Sequence, residues 1–250
     1  MKRKNILALL IFAGALLVAG GFAYWYVFRG EGGIPPGGNP PTGTEVGKRS
    51  KEELPPFPKD YDVIRYDAKA AAELGEEGRT RQEDAFKDAL ARIERRPDDP
   101  DVWIQLGGIK KMFGDYGGAI AAWNYVGLIR PKDATAYNNL GDLYWHYLRD
   151  FPNAEASYKK AIENFSENLG LYKDLSDLYR FDYKEKAHLA DDVLLDALKV
   201  SPKSVSVLAW LGGYYRDTGN KQKAREYFRR ALNLDPSNTA IQAELKELGG

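Results

Sequence analysis

The sequence predicts an all-α protein, a right-handed helical solenoid preceded by a single membrane-crossing helix. Three observations carry that expectation. Residues Ile6 to Phe28 run for 23 residues without a charge. From Tyr61 onward apolar residues recur at three- and four-residue spacing, and no alternating strand pattern of useful length appears. Within that helical part Pro97 and Pro131 lie 34 residues apart, as do Pro202 and Pro236. A fixed period of this size marks a repeat architecture.

The first element is the apolar run. At 1.5 Å rise per residue it makes roughly 34 Å of helix, enough for a hydrocarbon core of about 30 Å. Lys2, Arg3 and Lys4 precede it, only Arg29 follows closely, and the next basic residue is Lys48. That asymmetry leaves residues 1–5 in the cytoplasm and carries the rest of the chain across, with Tyr24, Trp25 and Tyr26 at the outer interface. A cleaved signal would have a shorter apolar core ending in a small-x-small site. Val18-Ala19-Gly20 offers one, but the run continues past it to Phe28. Residues 6–28 are therefore expected to stay as an anchor in the lipid bilayer. Gly14 and Gly21, seven apart on one face, suggest weak self-association through it.

Residues 29–60 read as a linker. Seven of the chain's 13 prolines and a matching density of glycines fall between Gly30 and Asp62, and such a segment forms a mixed flexible and extended spacer. Pro55-Pro56-Phe57-Pro58 also has the composition of a polyproline ligand for a partner domain. The helical part then begins with residues 61–99, expected to be a degenerate leading repeat with helices at Tyr66–Leu74 and Gln82–Arg96.

Residues 100–236 hold four periods. The first reads Trp103, Leu106-Gly107, Ala119, Trp123, Pro131. The second reads Tyr137, Leu140-Gly141, Tyr144, Ala154, Tyr158, Ala161. The third reads Tyr172, Leu175-Ser176, Tyr179, Ala190, Leu194, Ala197, Pro202, and the fourth Leu208, Leu211-Gly212, Tyr215, Ala224, Phe228, Ala231, Pro236. This pattern resembles the tetratricopeptide repeat, a 34-residue helix–turn–helix unit. Two antiparallel helices cross closely only where side chains are small. The expected pairs are Gly107 with Ala119, Gly141 with Ala154, Ser176 with Ala190 and Gly212 with Ala224. Departures are Lys110 where the first period should carry an aromatic, and Ser166 in place of the second closing proline. The second period carries one extra residue and the third two, expected in the turns at 149–153 and 181–185. Residues 237–250 are expected to cap the stack, with Ser237 starting the last helix.

Composition excludes most chemistry. The 36 basic and 36 acidic residues balance, which speaks against nucleic acid as a partner. With no cysteine and only His146 and His188, thiol nucleophiles and ordinary zinc sites lack their ligands. No catalytic residue, cofactor or metal site is expected. The resemblance implies instead a protein or peptide ligand in a concave groove lined by the first helix of each repeat. Carried over residue by residue, that groove contains Met112, Asn138, Asp142, Trp145, His146, Lys173, Asp177, Arg180, Phe181 and Arg216. Trp145 should face it, where it either anchors a ligand or tucks against the neighbouring repeat. The clamp by which some relatives grip a C-terminal carboxylate is missing, since Ile104 and Gly108 stand where it needs Lys and Asn. The expected function is a membrane-tethered, non-enzymatic scaffold outside the cytoplasm, in assembly of an envelope or secretion complex. The alternatives are a docking receptor of opposite topology and a non-catalytic subunit of a membrane enzyme.

Overall fold

The structure, a computed structural model, describes residues 53–249. The basic terminus 1–5, the expected anchor 6–28 and the linker as far as residue 52 lie outside the described residues. Among the described residues no helix is long and apolar enough to cross a membrane.

The order of elements is helical throughout. Helix α1 (Ala68–Arg95) is broken at Gly75, whose φ of 67° and ψ of 175° leave the helical region. Then follow α2 (Pro100–Met112), α3 (Tyr116–Ile129), α4 (Ala134–Asp142), α5 (Phe151–Asn164), α6 (Leu169–Asp177), α7 (Ala190–Val200), α8 (Val205–Asp217), α9 (Lys221–Leu234) and α10 (Thr239–Glu247). From α2 onward each helix packs on its neighbours in sequence, giving four antiparallel pairs closed by α10. One apolar core runs from Leu54 to Leu143 and a second from Trp145 to Leu245, and Tyr144 packs against both.

The helix starts follow from local chemistry. Asp99, Asp133, Asn168, Ser204 and Asn238 each accept a bond from a backbone N–H of the first turn. Such caps satisfy donors that have no partner inside the helix. The cap of α10 is Asn238, one residue beyond the expected Ser237, because its Oδ1 reaches the Ile241 N–H at 3.2 Å.

The close crossings are where the period predicts them, but the partner differs. A Cβ on Gly141 would lie 2.6 Å from the Tyr158 ring, one on Gly212 2.6 Å from Phe228, and one on Gly107 2.3 Å from the Trp123 indole. Each glycine makes room for an aromatic side chain of the second helix rather than for the alanine one turn earlier. In the third repeat Leu194 replaces that aromatic, and the freed space admits Ser176, whose Oγ donates to the Ala190 carbonyl at 2.7 Å.

The extra residues are placed differently from expectation. The first helix of the second repeat does not end at α4 but continues as a π-helical turn, Leu143–Leu148, before Arg149 reverses the chain at φ 55°. In the third repeat a π turn spans Leu178–Asp182 and a 3₁₀ stretch, Lys184–Leu189, follows. A π turn is how a helix absorbs an inserted residue without losing register. The insertion therefore sits within the helix end in the second repeat, and only part of it lies in the connection in the third.

The linker boundary also shifts. Leu54 is buried, and Phe57, Tyr61 and Ile64 pack against the first core. Residues 54–64 form a strap across the first repeat, so the folded part begins earlier than Tyr61. Lys110 explains its own departure from the aromatic pattern. Its Nζ is buried and donates to the carbonyls of Asp60 (3.3 Å) and Val63 and to Asp115 Oδ2 (3.1 Å). Where the later repeats carry Tyr179 and Tyr215, which bond Glu155 and Asp191 of the preceding repeat (2.9 Å each), the first repeat needs a cation for the strap. The second segment of α1 resumes at Glu76 rather than Gln82, and it buries Phe86, Ala89 and Ile93.

Candidate functional site

Position along each first helix decides what a side chain meets. Asn138, Asp142 and His146 follow one another at four-residue spacing on α4 and its π turn, and Lys173, Asp177 and Phe181 do so on α6 and its π turn. That spacing puts each trio on one face. Successive first helices are joined along this face by side chains: Arg149 bonds Asp182, Arg180 bonds Asp217, and Arg216 bonds Glu244, while Arg216 also pairs with its neighbour Asp217. Lys173 pairs within its own helix with Asp177 at 2.5 Å.

Exposure sorts the expected groove residues. His146 and Phe181 are exposed; Met112, Asn138, Asp142, Lys173, Asp177, Arg180 and Arg216 are half-buried. Phe181 keeps 51% of its surface open, with the Arg180 guanidinium 4.5 Å above its ring. Of the two arrangements open to Trp145, the structure shows the one packed against the neighbouring repeat. Only 7% of Trp145 is exposed, its indole N–H donates to Asp182 Oδ2 at 2.7 Å, and its ring stacks on His146 at 4.1 Å and meets Tyr158 edge-on. A side chain so engaged locks the second repeat to the third and has little surface left for a ligand. Trp145 sits within the π turn Leu143–Leu148.

Electrostatics within the face is set by burial and pairing. Burial pushes the Asp142 carboxyl up, against the bond it accepts from the Tyr158 hydroxyl at 2.6 Å. Burial likewise lowers the His146 pKa, against the pull of Asp142 and Asp182. Asp182 is held low by the bonds from Arg149 and Trp145. The Asn138 side-chain oxygen, Oδ1, is buried with no hydrogen-bond partner, which is rare for a polar atom.

Sequence reasoning missed Arg149, Asp182, Asp217 and Glu244. A usable signal existed for two of them, since Asp182 and Asp217 both close the first helix of their repeats. Their partners could not be seen without the π-turn geometry. Tyr147 and Leu148, exposed on the first π turn, were also missed; Tyr147 packs against Tyr116 and carries Lys111 over its ring at 5.2 Å. Among the described residues no group of three or more His, Asp or Glu stands together as metal ligands.

Four helix pairs with a small residue at each crossing, capped by an added helix, define a helical-repeat protein. Residues 134–168 and 205–238 each match the tetratricopeptide repeat, so the chain carries tetratricopeptide repeats. The two matches fall on the second and fourth periods. Among solved structures, the crystal structure of MamA is similar at 18% identity and a TM-score of 0.51, over 71% of this chain and 99% of that one. A further MamA crystal structure matches at 17% identity and a TM-score of 0.50, over 72% and 95%. The C-terminal part of a TPR repeat-containing protein from Cytophaga hutchinsonii matches at 22% identity and a TM-score of 0.50, over 66% and 68%. At these identities the likeness establishes the fold, an all-α repeat stack.

Proposed function

We propose that the protein is a membrane-tethered, non-enzymatic scaffold that binds a protein or peptide segment along the first-helix face of its second and third repeats. The exposed Phe181 with Arg180 stacked on it carries this reading, because an open aromatic beside an arginine is the composition of an interface hot spot. Capture should therefore fail when Phe181→Ala and Arg180→Ala are combined, with a loss of about thirtyfold for a hot spot of about 2 kcal/mol. Trp145→Ala is a poor probe, because it opens the joint between repeats. The check is photo-crosslinking from position 181 in cells expressing the full chain, with helicity followed in parallel. Equal capture by the parent and the double variant would remove this face as the binding site.

The tether rests on the uncharged run 6–28 and its three-to-one basic flank. The repeats then lie outside the cytoplasm, in a place suited to assembly of an envelope or secretion complex. The chain has no cysteine, so a single Cys at Thr239, exposed at the start of α10, gives a clean label. It should react with a membrane-impermeant maleimide in intact cells, after outer-membrane permeabilisation where there is one, and the band should keep full-length mass. Protection until the inner membrane is lysed would favour the docking receptor. A labelled band shorter by about two kilodaltons would mean a cleaved signal.

A further inference from the structure

The strap holds a motif that the groove reading leaves unused. Leu54–Pro58 reads Leu-Pro-Pro-Phe-Pro and forms no helix. Its Phe57 ring stands edge-on to Trp103 (5.3 Å) and to Tyr125 (5.7 Å), which are themselves 4.4 Å apart. The Tyr125 hydroxyl donates to the Pro55 carbonyl at 3.2 Å. Leu54 is 8% exposed, and Trp103 and Tyr125 are fully buried beneath the strap. Aromatic side chains lining a shallow face, with a hydroxyl donor on a proline carbonyl, are the chemistry that recognises proline-rich segments. Such segments lose little conformational entropy on binding, because proline fixes φ and leaves carbonyls without intrachain donors.

The strap is gripped in two places, with Tyr61 between them, its ring 5.2 Å from Phe57 and 5.5 Å from Trp103. Lys110 holds the carbonyls of Asp60 and Val63, whereas Leu54–Pro58 is held by the rings and by Tyr125. Exchange at this face requires the second grip to open while the first stays closed. We propose that the Trp103–Tyr125 face is a proline-rich peptide site, occupied in cis by Leu54–Pro58, and that a partner's Leu-Pro-Pro-aromatic-Pro segment takes the same place in trans. This site lies at the leading end of the stack, on α2 and α3, and is independent of the first-helix face of the second and third repeats. A segment tethered beside its own site competes at an effective concentration of order millimolar. The cis contact is therefore an autoinhibitory one.

The test uses the full chain in detergent and a synthetic peptide with the sequence of residues 53–60, beside a control peptide with Ala for the phenylalanine. In a Leu54→Cys variant the only thiol sits on the buried side of the strap, so alkylation should be slow. Saturating peptide should accelerate it about tenfold, and the control peptide should not. The fluorescent peptide should also bind a Phe57→Ala chain at least about tenfold more tightly than the parent, because the cis competitor is weakened. Alkylation indifferent to the peptide, with no gain in Phe57→Ala, would overturn the site. Should Phe57→Ala lose helicity, the Leu54→Cys rates alone decide. Rates that ignore the peptide but change with chain concentration would mean that a second copy supplies the segment, which also overturns a peptide partner. Arg180→Ala with Phe181→Ala should leave every one of these readings unchanged, so this site and the groove can fail separately.

Discussion

Gly141→Leu should lower stability by about 3–5 kcal/mol. A Cβ at this position would stand 2.6 Å from the Tyr158 ring, a distance that real side chains do not adopt. Tyr158 cannot swing aside cheaply. It is fully buried, and its hydroxyl donates to Asp142 at 2.6 Å. Overpacking typically costs about 1–3 kcal/mol, and losing a hydrogen bond to a charged group adds about 1.5–3. The sign of the effect should reverse at Gly108, where an added Cβ meets nothing within 4 Å. Gly108→Ala, in the interior of α2, should stabilise by about 0.5–1 kcal/mol through helix propensity alone. Urea unfolding of the described unit measures both as shifts in midpoint. A Gly141→Leu midpoint equal to the parent's would mean that α4 and α5 do not cross at this residue.

The repeat register could be read from the sequence because it rests on steric necessity. Only a residue as small as Gly107, Gly141 or Gly212 fits where two helices touch, so the small residues advertise the crossing whatever lies around them. What each glycine faces was less legible. Position alone suggested the alanine, and the structure gives the aromatic one turn later. The strap shows where composition misleads. Pro55, Pro56 and Pro58 cannot build a helix, and a proline-rich stretch without periodicity reads as spacer. Yet Leu54 and Phe57 between them are apolar enough to dock on a face that the repeat pattern does not mention. Lys110 was the visible clue, a charge at a core position of the pattern, and its reason needed the carbonyls of Asp60 and Val63. The π turns were legible only as a count, one or two residues too many. Whether an insertion enters a turn or a helix depends on which backbone bonds can still close, and Asp150 N–H to Tyr144 carbonyl at 2.8 Å is one such bond. Trp145 lies on one of these π turns, and spacing alone left its two arrangements undecided.

Removing the strap should be the second large loss, and its size should depend on Lys110. A chain beginning at Tyr66 lacks Leu54, Phe57, Tyr61 and Ile64, which pack on the first core. Fully burying one such side chain contributes about 1.5–3 kcal/mol, so a loss on the order of 5 kcal/mol is expected relative to a chain beginning at Glu53. That is a large share of the 5–15 kcal/mol typical of a folded domain. The truncation also strips two carbonyl acceptors from an ammonium whose side chain is 1% exposed and whose remaining partner, Asp115, is 4% exposed. In the longer chain Lys110→Met removes the cation from the buried Asp115 carboxylate and the ammonium donor from those carbonyls, and breaking a buried pair in this way costs about 3–5 kcal/mol. In the truncated chain the carbonyls are gone and water reaches the site, so the same substitution should cost less by about 1–3 kcal/mol, the size of coupling seen between groups in contact. A double-mutant cycle of urea midpoints, with parent, truncation, Lys110→Met and both together, measures that difference directly. Additivity within about 0.5 kcal/mol would mean that Lys110 does not fasten the strap, and that the folded unit begins at Tyr66 after all.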